Sequence, residues 1–178
     1  MSLVERVEML NRAIYQNAKG RLNMTMAYGE LDSRTLELRY ISASHEPILL
    51  LRKNESGEAL SRKEIGILGD VGGARLGENV QSQYHSSHVQ LKSGDSLVFY
   101  TDGILEVASP EGKTLEERGF QKKLLEAFNK EPGFNKFAHH FFNTVQEFKR
   151  DSELKDDVTA FLIHLKPDAN KLSVKEAA

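Results

Sequence analysis

Leu97-Val98-Phe99-Tyr100-Thr101-Asp102-Gly103 is the clearest strand signal in the sequence. Four consecutive apolar or aromatic residues favour a buried strand, and Asp102-Gly103 favours a sharp turn directly after it. A mirrored arrangement occurs at Asp156-Asp157, where two carboxylates precede the strand predicted for Val158 to Leu165. Carboxylates at the ends of neighbouring strands can converge on a hard divalent cation such as Mg²⁺ or Mn²⁺. The alternative is that these aspartates are ordinary turn residues that hydrogen-bond nearby amides.

The residues before this segment predict one helix and several strands. Apolar residues at steps of three or four from Val4 to Ala18 predict an amphipathic helix that ends near Gly20. Apolar residues alternate on both sides of Asp32-Ser33, which predicts a β-hairpin. The continuous apolar run Ile48-Leu49-Leu50-Leu51 predicts a strand that is buried on both faces.

Residues 54–77 have a different composition, rich in Gly, Ser, Glu and Arg. Because they show little periodicity, a mobile loop or flap is expected there, with one short strand near Ile65. Within this segment, residues 69–73 look like a phosphate-binding loop but lack the Lys-Ser/Thr pair on which that motif depends. A flexible flap is therefore the preferred interpretation of these glycines.

Two helices are predicted between the aspartate motifs. Thr114 and Glu117 have the spacing of a capping box, which predicts the start of a helix that continues to Phe128. Large apolar residues at steps of three and four from Phe134 to Phe148 predict a second helix with an aromatic face in the core. The order helix, strands, two helices, strand lacks the regular alternation of a parallel sheet and indicates an α+β fold of sheets layered with helices.

The composition excludes several classes of protein. The 178 residues include 24 Lys+Arg and 26 Asp+Glu, a net charge of −2, and 39% of them are hydrophobic, which excludes wholesale disorder. No basic cluster suggests nucleic-acid binding, and no apolar stretch approaches the roughly 20 residues of a membrane span. The absence of cysteine excludes disulfides, a cysteine nucleophile and thiolate metal sites. The N-terminus lacks a signal-peptide pattern, so a cytoplasmic location is expected.

The histidines are weaker candidates for a site. His45 stands at a strand boundary, where a hydrogen-bonded structural role is favoured over a role in orienting a loop. His85 and His88 are placed on a loop-to-strand segment, where they would not face one another. His139-His140 are adjacent on a predicted helix, so their side chains diverge.

In order and spacing, the motifs resemble the C-terminal two-thirds of a bacterial metal-dependent protein phosphatase domain of the PPM superfamily. The resemblance is to the sporulation stage II E and sigma-factor-regulator type, and it covers roughly residues 5–165. The segments that carry it are Thr25–Asp32, Leu38–Pro47, Leu76-Gly77, Leu91–Leu97, Tyr100–Glu106 and Asp156–Thr159.

The resemblance implies an α-β-β-α sandwich of antiparallel sheets flanked by helices, with two Mn²⁺ or Mg²⁺ ions at one edge. It implies hydrolysis of phosphoserine or phosphothreonine by a metal-activated water, without a covalent enzyme intermediate. The substrate would be a phosphorylated signalling protein, such as an anti-anti-sigma-like domain. By position, Asp102 and Asp156 are the implied metal ligands, with Asp157 as the less favoured choice, and no further catalytic residue is implied.

Two metal motifs of this family are missing here: the aspartate of Gly-Gly-Asp and the motif Asp-x-x-Gly-His-Gly, both expected before the first helix. The domain, residues 4–165 with a polar tail at 166–178, is therefore expected to be N-terminally incomplete. Missing strands would leave a sheet edge exposed, which favours a homodimer. In addition, Ser44-His45-Glu46-Pro47 replaces the family's Gly-His-Pro-Pro. The alternative function is a non-catalytic, phosphatase-like module that regulates or binds a partner.

Overall fold

The computed structural model describes residues 1–53, 57–69, 72–130 and 133–166. These residues form an α+β fold whose strand pairs are mainly antiparallel, as the sequence predicts. The helices and strands of the described residues, in chain order, are α1 (Leu3–Ala18), β1 (Met26–Leu31), β2 (Glu37–Ala43), β3 (Ile48–Leu51), β4 (Gly66–Leu68), β5 (Gly72–Gly73), β6 (Ser87–Gln90), β7 (Ser96–Tyr100), α2 (Glu116–Lys130), α3 (Phe134–Lys149) and β8 (Ala160–His164). None of the helices among the described residues has the length and apolar composition needed to cross a membrane.

The chain divides into two compact units, the first of which comprises Met1–Ile48 and Ile67–Lys92. Its sheet is centred on β2, which pairs antiparallel with β1 and β6 and parallel with β5. The predicted helix and the hairpin around Asp32-Ser33 are both confirmed. One cluster of buried apolar residues in this unit comes from α1, β2 and the segment after β5: Leu3, Val7, Ile41, Ala43, Leu76 and Tyr84.

A buried asparagine joins α1 to the loop that follows β5. The side chain of Asn11 is fully buried, its Nδ2 donates to the carbonyl oxygen of Asn79 at 2.9 Å, and its Oδ1 accepts from the amide of Gly77 at 2.7 Å. Gly77 has φ +79°, a conformation that glycine adopts without strain. The side-chain amide of Asn11 therefore has hydrogen-bond partners although it is buried.

Residues 57–69 and 72–77 contain more regular structure than the flap prediction allows. The short strand expected near Ile65 is present as β4, but Gly72–Gly73 also form a strand, β5, paired with β2. A methyl group on Gly72 would lie 1.8 Å from the carbonyl oxygen of Ser42, so this pairing requires glycine. Isolated apolar residues of this segment, including Leu60 and Leu76, are buried, although the sequence around them has no regular apolar pattern. Residues 54–56 and 70–71 of the predicted flap lie outside the described residues.

The second unit comprises Leu49–Gly66 and Ser93–Ala178, and its sheet has the strand order β3-β7-β8, to which β3 contributes Leu49 to Leu51. All four residues of β3 are buried, as the apolar run predicts. Leu49 and Val98 contribute to a core that also contains the inner faces of α2 and α3. The Tyr100 ring lies 4.5 Å from that of Phe120, measured between centroids, so the end of β7 packs directly on α2.

The start of α2 differs from the sequence prediction. Thr114 forms an isolated β-bridge with Ala108, and the helix begins at Glu116. The capping box predicted for Thr114 and Glu117 is therefore wrong. The amides of Leu115 and Glu116 donate instead to the carbonyls of the preceding loop, at Val107 and Leu105. These longer-range backbone bonds supply what a side-chain cap would otherwise provide.

An ion pair lies at the turn before β7. Asp95 is 1% exposed and accepts two hydrogen bonds from Arg52, 2.9 Å to Nε and 2.6 Å to Nη2. The carboxylate beside it raises the pKa of the Arg52 guanidinium. The bidentate geometry fixes the start of β7 against the end of β3.

We expect the folded state to lose stability in mild acid because of His164. Its Nδ1 lies 3.0 Å from Ser96 Oγ, and burial, followed by the nearby positive charge of Lys53, lowers the pKa of the imidazole below its ordinary value of 6.5. The unfolded chain therefore binds a proton at a higher pH than the folded chain. The resulting stability is fully present above about pH 6.5 and is lost as the pH falls through the folded-state pKa.

Urea unfolding at pH 7.5 and pH 5.5 measures this effect. His164→Asn, which keeps a polar atom near Ser96, should show a smaller decrease in unfolding free energy between the two pH values than the wild type. His139→Asn, on the exposed surface of α3, is the matched control. A wild-type decrease that His164→Asn leaves unchanged would contradict the assignment.

Candidate functional site

The pairing of β7 with β8 brings the two aspartate motifs together. The antiparallel register runs from Ser96 opposite His164 to Tyr100 opposite Ala160, so the end of β7 lies beside the start of β8. One further bond extends the ladder, from the amide of Thr101 to the carbonyl oxygen of Thr159 at 3.0 Å. Residues directly after β7 and directly before β8 consequently share one edge of the sheet.

Asp102 begins a 3₁₀ turn, Asp102–Ile104, immediately after β7. Its Oδ1 accepts a hydrogen bond from the amide of Gly103 at 3.0 Å, and its carbonyl oxygen accepts from the amide of Leu105 at 2.8 Å. The residue is exposed. The turn therefore holds the carboxylate at the surface with a defined orientation.

Asp156 and Asp157 form the facing loop. Oδ1 of Asp156 accepts from the amide of Asp157 at 2.7 Å, and both residues are exposed. A methyl group on Gly103 would lie 2.3 Å from the carbonyl oxygen of Asp157 and 3.6 Å from Cβ of Asp156. The backbones of the two loops are thus in direct contact, and the close approach requires glycine at position 103. Asp156 has its side chain beside the Asp102 turn, whereas Asp157 contributes its carbonyl oxygen to the contact.

The donor chemistry of this edge fits a hard divalent cation. Carboxylate oxygens are the ligands that Mg²⁺ and Mn²⁺ prefer, and here they come from two loops whose backbones are in contact. In the described part of the chain, no group of three or more His, Cys, Asp or Glu residues is placed to hold an ion. The aspartates therefore fit part of a coordination sphere, and further ligands are needed to complete it.

The sequence also singles out several histidines. The amide of His45 donates to Ser42 Oγ at 3.2 Å, and its ring Nδ1 lies 3.0 Å from the carbonyl oxygen of Glu46, which confirms the structural interpretation. His88 lies on β6 and His85 precedes it, as expected. His139 Nε2 lies 3.0 Å from the side-chain nitrogen of Asn143 one turn along α3.

Thr101 also belongs to this edge of the sheet, although the sequence motifs do not single it out. Its hydroxyl accepts from the amide of Thr159 at 3.1 Å and lies 3.2 Å from the carbonyl oxygen of Asp157. Two features of the sequence bear on its role: a hydroxyl residue stands directly before Asp102, and a strand is predicted to start just after Asp157. Without the strand register, these features do not specify a partner.

Comparisons with known proteins agree on the family. The family model described as Stage II sporulation protein E (SpoIIE) matches residues 1–166. The chain is 25% identical over 158 residues to phosphoserine phosphatase RsbU of Bacillus subtilis (strain 168), which covers 88% of this chain and 43% of that protein. The chain thus spans less than half the length of this curated relative.

Solved structures with the same fold include one from Mycobacterium tuberculosis and one from Bacillus subtilis. The RsbU and RsbW domains of Rv1364c from Mycobacterium tuberculosis align with a TM-score of 0.71 at 23% identity, over 93% of this chain and 43% of that chain. The manganese-presoaked phosphatase domain of SpoIIE from Bacillus subtilis aligns with a TM-score of 0.58 at 15% identity, over 99% of this chain and 76% of that chain. At these identities the structures show the fold, and the match over residues 1–166 shows that this chain belongs to the SpoIIE family.

Proposed function

We propose that this chain is part of a metal-dependent protein phosphatase that hydrolyses phosphoserine or phosphothreonine on a signalling protein. The observation that carries the proposal is the contact between the Asp102 turn and the Asp156-Asp157 loop at one edge of the sheet. The name of the relative RsbU, a phosphoserine phosphatase, supports the reaction class. A phosphorylated anti-anti-sigma-like domain is the proposed substrate and the cytoplasm the proposed location.

In this proposal Asp102 and Asp156 hold a divalent cation, and Asp157 is the less favoured ligand. Mn²⁺ and Mg²⁺ are both proposed, because a structurally similar phosphatase domain was presoaked with manganese, the similar structure of RsbX is a complex with magnesium, and both ions prefer oxygen ligands. When bound, such an ion lowers the pKa of a coordinated water and neutralises charge on the phosphoryl oxygens. The chain's own contribution is to expose both carboxylates and to bring the Asp102 turn into contact with the loop that carries Asp156.

A second candidate function is a non-catalytic module that binds a phosphorylated partner. The observation in its favour is that the described residues contain no group of three or more potential metal ligands. A phosphatase-like surface without a complete metal site could still recognise a phosphoprotein. The two candidates differ in one measurable property, which is turnover in the presence of metal.

The test measures phosphate release from a phosphoserine peptide during a Mn²⁺ titration. It uses the polypeptide encoded by the complete open reading frame that contains these 178 residues. We expect saturable, Mn²⁺-dependent hydrolysis that excess EDTA abolishes and renewed Mn²⁺ restores. Peptide binding without turnover at any Mn²⁺ or Mg²⁺ concentration would contradict the phosphatase proposal and favour the binding module.

A further inference from the structure

We propose that Thr101 is a positioning residue for the carboxylates of Asp102 and Asp156, and that its hydroxyl group sets the affinity of this site for a divalent cation. The inference rests on the proposed function, because it concerns the same pair of carboxylates. It is carried by an exchange of hydrogen-bond partners at the point where β7 ends.

The exchange occurs in the residue pair that follows the last regular pair of the ladder. In a hydrogen-bonded antiparallel pair, two opposite residues exchange both amide-to-carbonyl bonds. Thr101 and Thr159 make only one of them, from the amide of Thr101 to the carbonyl of Thr159 at 3.0 Å. The amide of Thr159 donates instead to Oγ1 of Thr101, at 3.1 Å.

Because the amide of Thr159 bonds to the hydroxyl, the carbonyl oxygen of Thr101 is available for another hydrogen bond. That oxygen accepts from the amide of Ile104 at 3.2 Å and thereby closes the 3₁₀ turn that carries Asp102. A strand that continued through Thr101 would use the same carbonyl for the ladder. The hydroxyl therefore allows the chain to change from strand to turn while the amide of Thr159 keeps a partner.

The same hydroxyl also contacts the opposite loop. Oγ1 of Thr101 donates to the carbonyl oxygen of Asp157 at 3.2 Å. A hydroxyl has one hydrogen and two lone pairs, so it can donate to Asp157 and accept from Thr159 at the same time. The Thr101 side chain thus holds the carbonyl group of Asp157, the residue directly after Asp156. The Thr101 backbone meanwhile starts the Asp102 turn.

A purely structural role and a positioning role predict different results. Asp157 and Thr159 are exposed, so water can replace both hydroxyl bonds, and the unfolding temperature should change by no more than about 2–4 °C. Loss of a group that orients metal ligands typically lowers metal affinity by roughly 10–100-fold. Thr101→Val tests the difference because valine keeps the branched shape and removes only the hydroxyl.

The experiment follows Mn²⁺-induced broadening of the Gly103 and Asp157 amide signals by NMR, on the polypeptide of the complete open reading frame. We expect Thr101→Val to raise the apparent Kd for Mn²⁺ by about 10–100-fold. In EDTA, the same variant should show faster hydrogen exchange at the Thr159 amide. Thr101→Ser should stay within about threefold of the wild type, because it restores the hydroxyl. Thr144→Val, which removes a hydroxyl bond of 2.8 Å to the carbonyl of Phe141 in α3, is the matched control and should leave both readouts unchanged.

The outcomes separate this inference from the proposed function. Absence of Mn²⁺-induced broadening in the wild type would overturn the proposed function, and the metal-affinity inference with it. Mn²⁺ binding that is equally strong in the wild type and in Thr101→Val would overturn the inference and leave the proposed function standing. Equal impairment in Thr101→Ser and Thr101→Val would also overturn it, because the hydroxyl would then not be the important group.

Discussion

Asp102→Asn is expected to lower kcat/KM for Mn²⁺-dependent phosphopeptide hydrolysis by at least about 100-fold, or roughly 2.7 kcal/mol of transition-state stabilisation. The substitution removes a negative charge and a carboxylate oxygen from a site whose donors lie at the exposed edge between β7 and β8. Asparagine keeps an oxygen that can accept from the amide of Gly103, so the turn and the folded state should be preserved. We therefore expect Asp102→Asn to lower activity without a comparable loss of stability.

The measurement combines steady-state kinetics at several Mn²⁺ concentrations with thermal unfolding of the same samples. Asp151→Asn, at an exposed position after α3, is the matched control and should retain wild-type kinetics. Asp156→Asn should reduce activity as strongly as Asp102→Asn, and Asp157→Asn should reduce it less. Wild-type turnover in Asp102→Asn would refute its assignment as a ligand, and a larger effect at Asp157 than at Asp156 would reverse the assignment of the second ligand.

Phe141→Ala is expected to destabilise the fold by about 3–5 kcal/mol, a large fraction of the roughly 5–15 kcal/mol typical of a domain. The Phe141 ring is fully buried and its centroid lies 5.9 Å from that of Phe120, which in turn lies 4.5 Å from the Tyr100 ring at the end of β7. Truncation would leave a cavity in the core between α2, α3 and the sheet. Because Tyr100 precedes Thr101 directly, loosening of this aromatic cluster should also disturb the site.

The adjacent residue offers a control of the same type. Phe142 is 44% exposed on the same helix, so Phe142→Ala should cost less than about 1 kcal/mol. Urea unfolding of both variants measures the difference, and Phe141→Leu, with an expected cost of about 1–2 kcal/mol, provides a value if Phe141→Ala does not fold. Equal costs at the two positions would contradict the burial of Phe141.

Most secondary structure could be predicted because its causes are local. The periodic apolar residues of α1, the alternation around Asp32-Ser33 and the apolar run of β3 each indicate one type of element, and the structure contains all three. Predictions were wrong where distant contacts replace local signals. Thr114 pairs with Ala108 rather than capping α2, and Gly72–Gly73 form a strand because Ser42 is close enough to pair.

The candidate site shows the same division. The residue types and their places at strand ends predict an oxygen-ligand site, and the resemblance of the motifs implies that Asp102 and Asp156 are its ligands, which stays a prediction. Their juxtaposition depends on pairing between residues 96–100 and 160–164, which are separated by both helices of the second unit. The apolar pattern of each strand indicates which of its faces is buried, but it does not indicate the pairing partner, because no short turn joins these two strands and fixes their register. Likewise, the Thr101 hydroxyl bonds to Asp157 and Thr159 only when the two loops meet in three dimensions. The need for glycine at position 103 has the same origin.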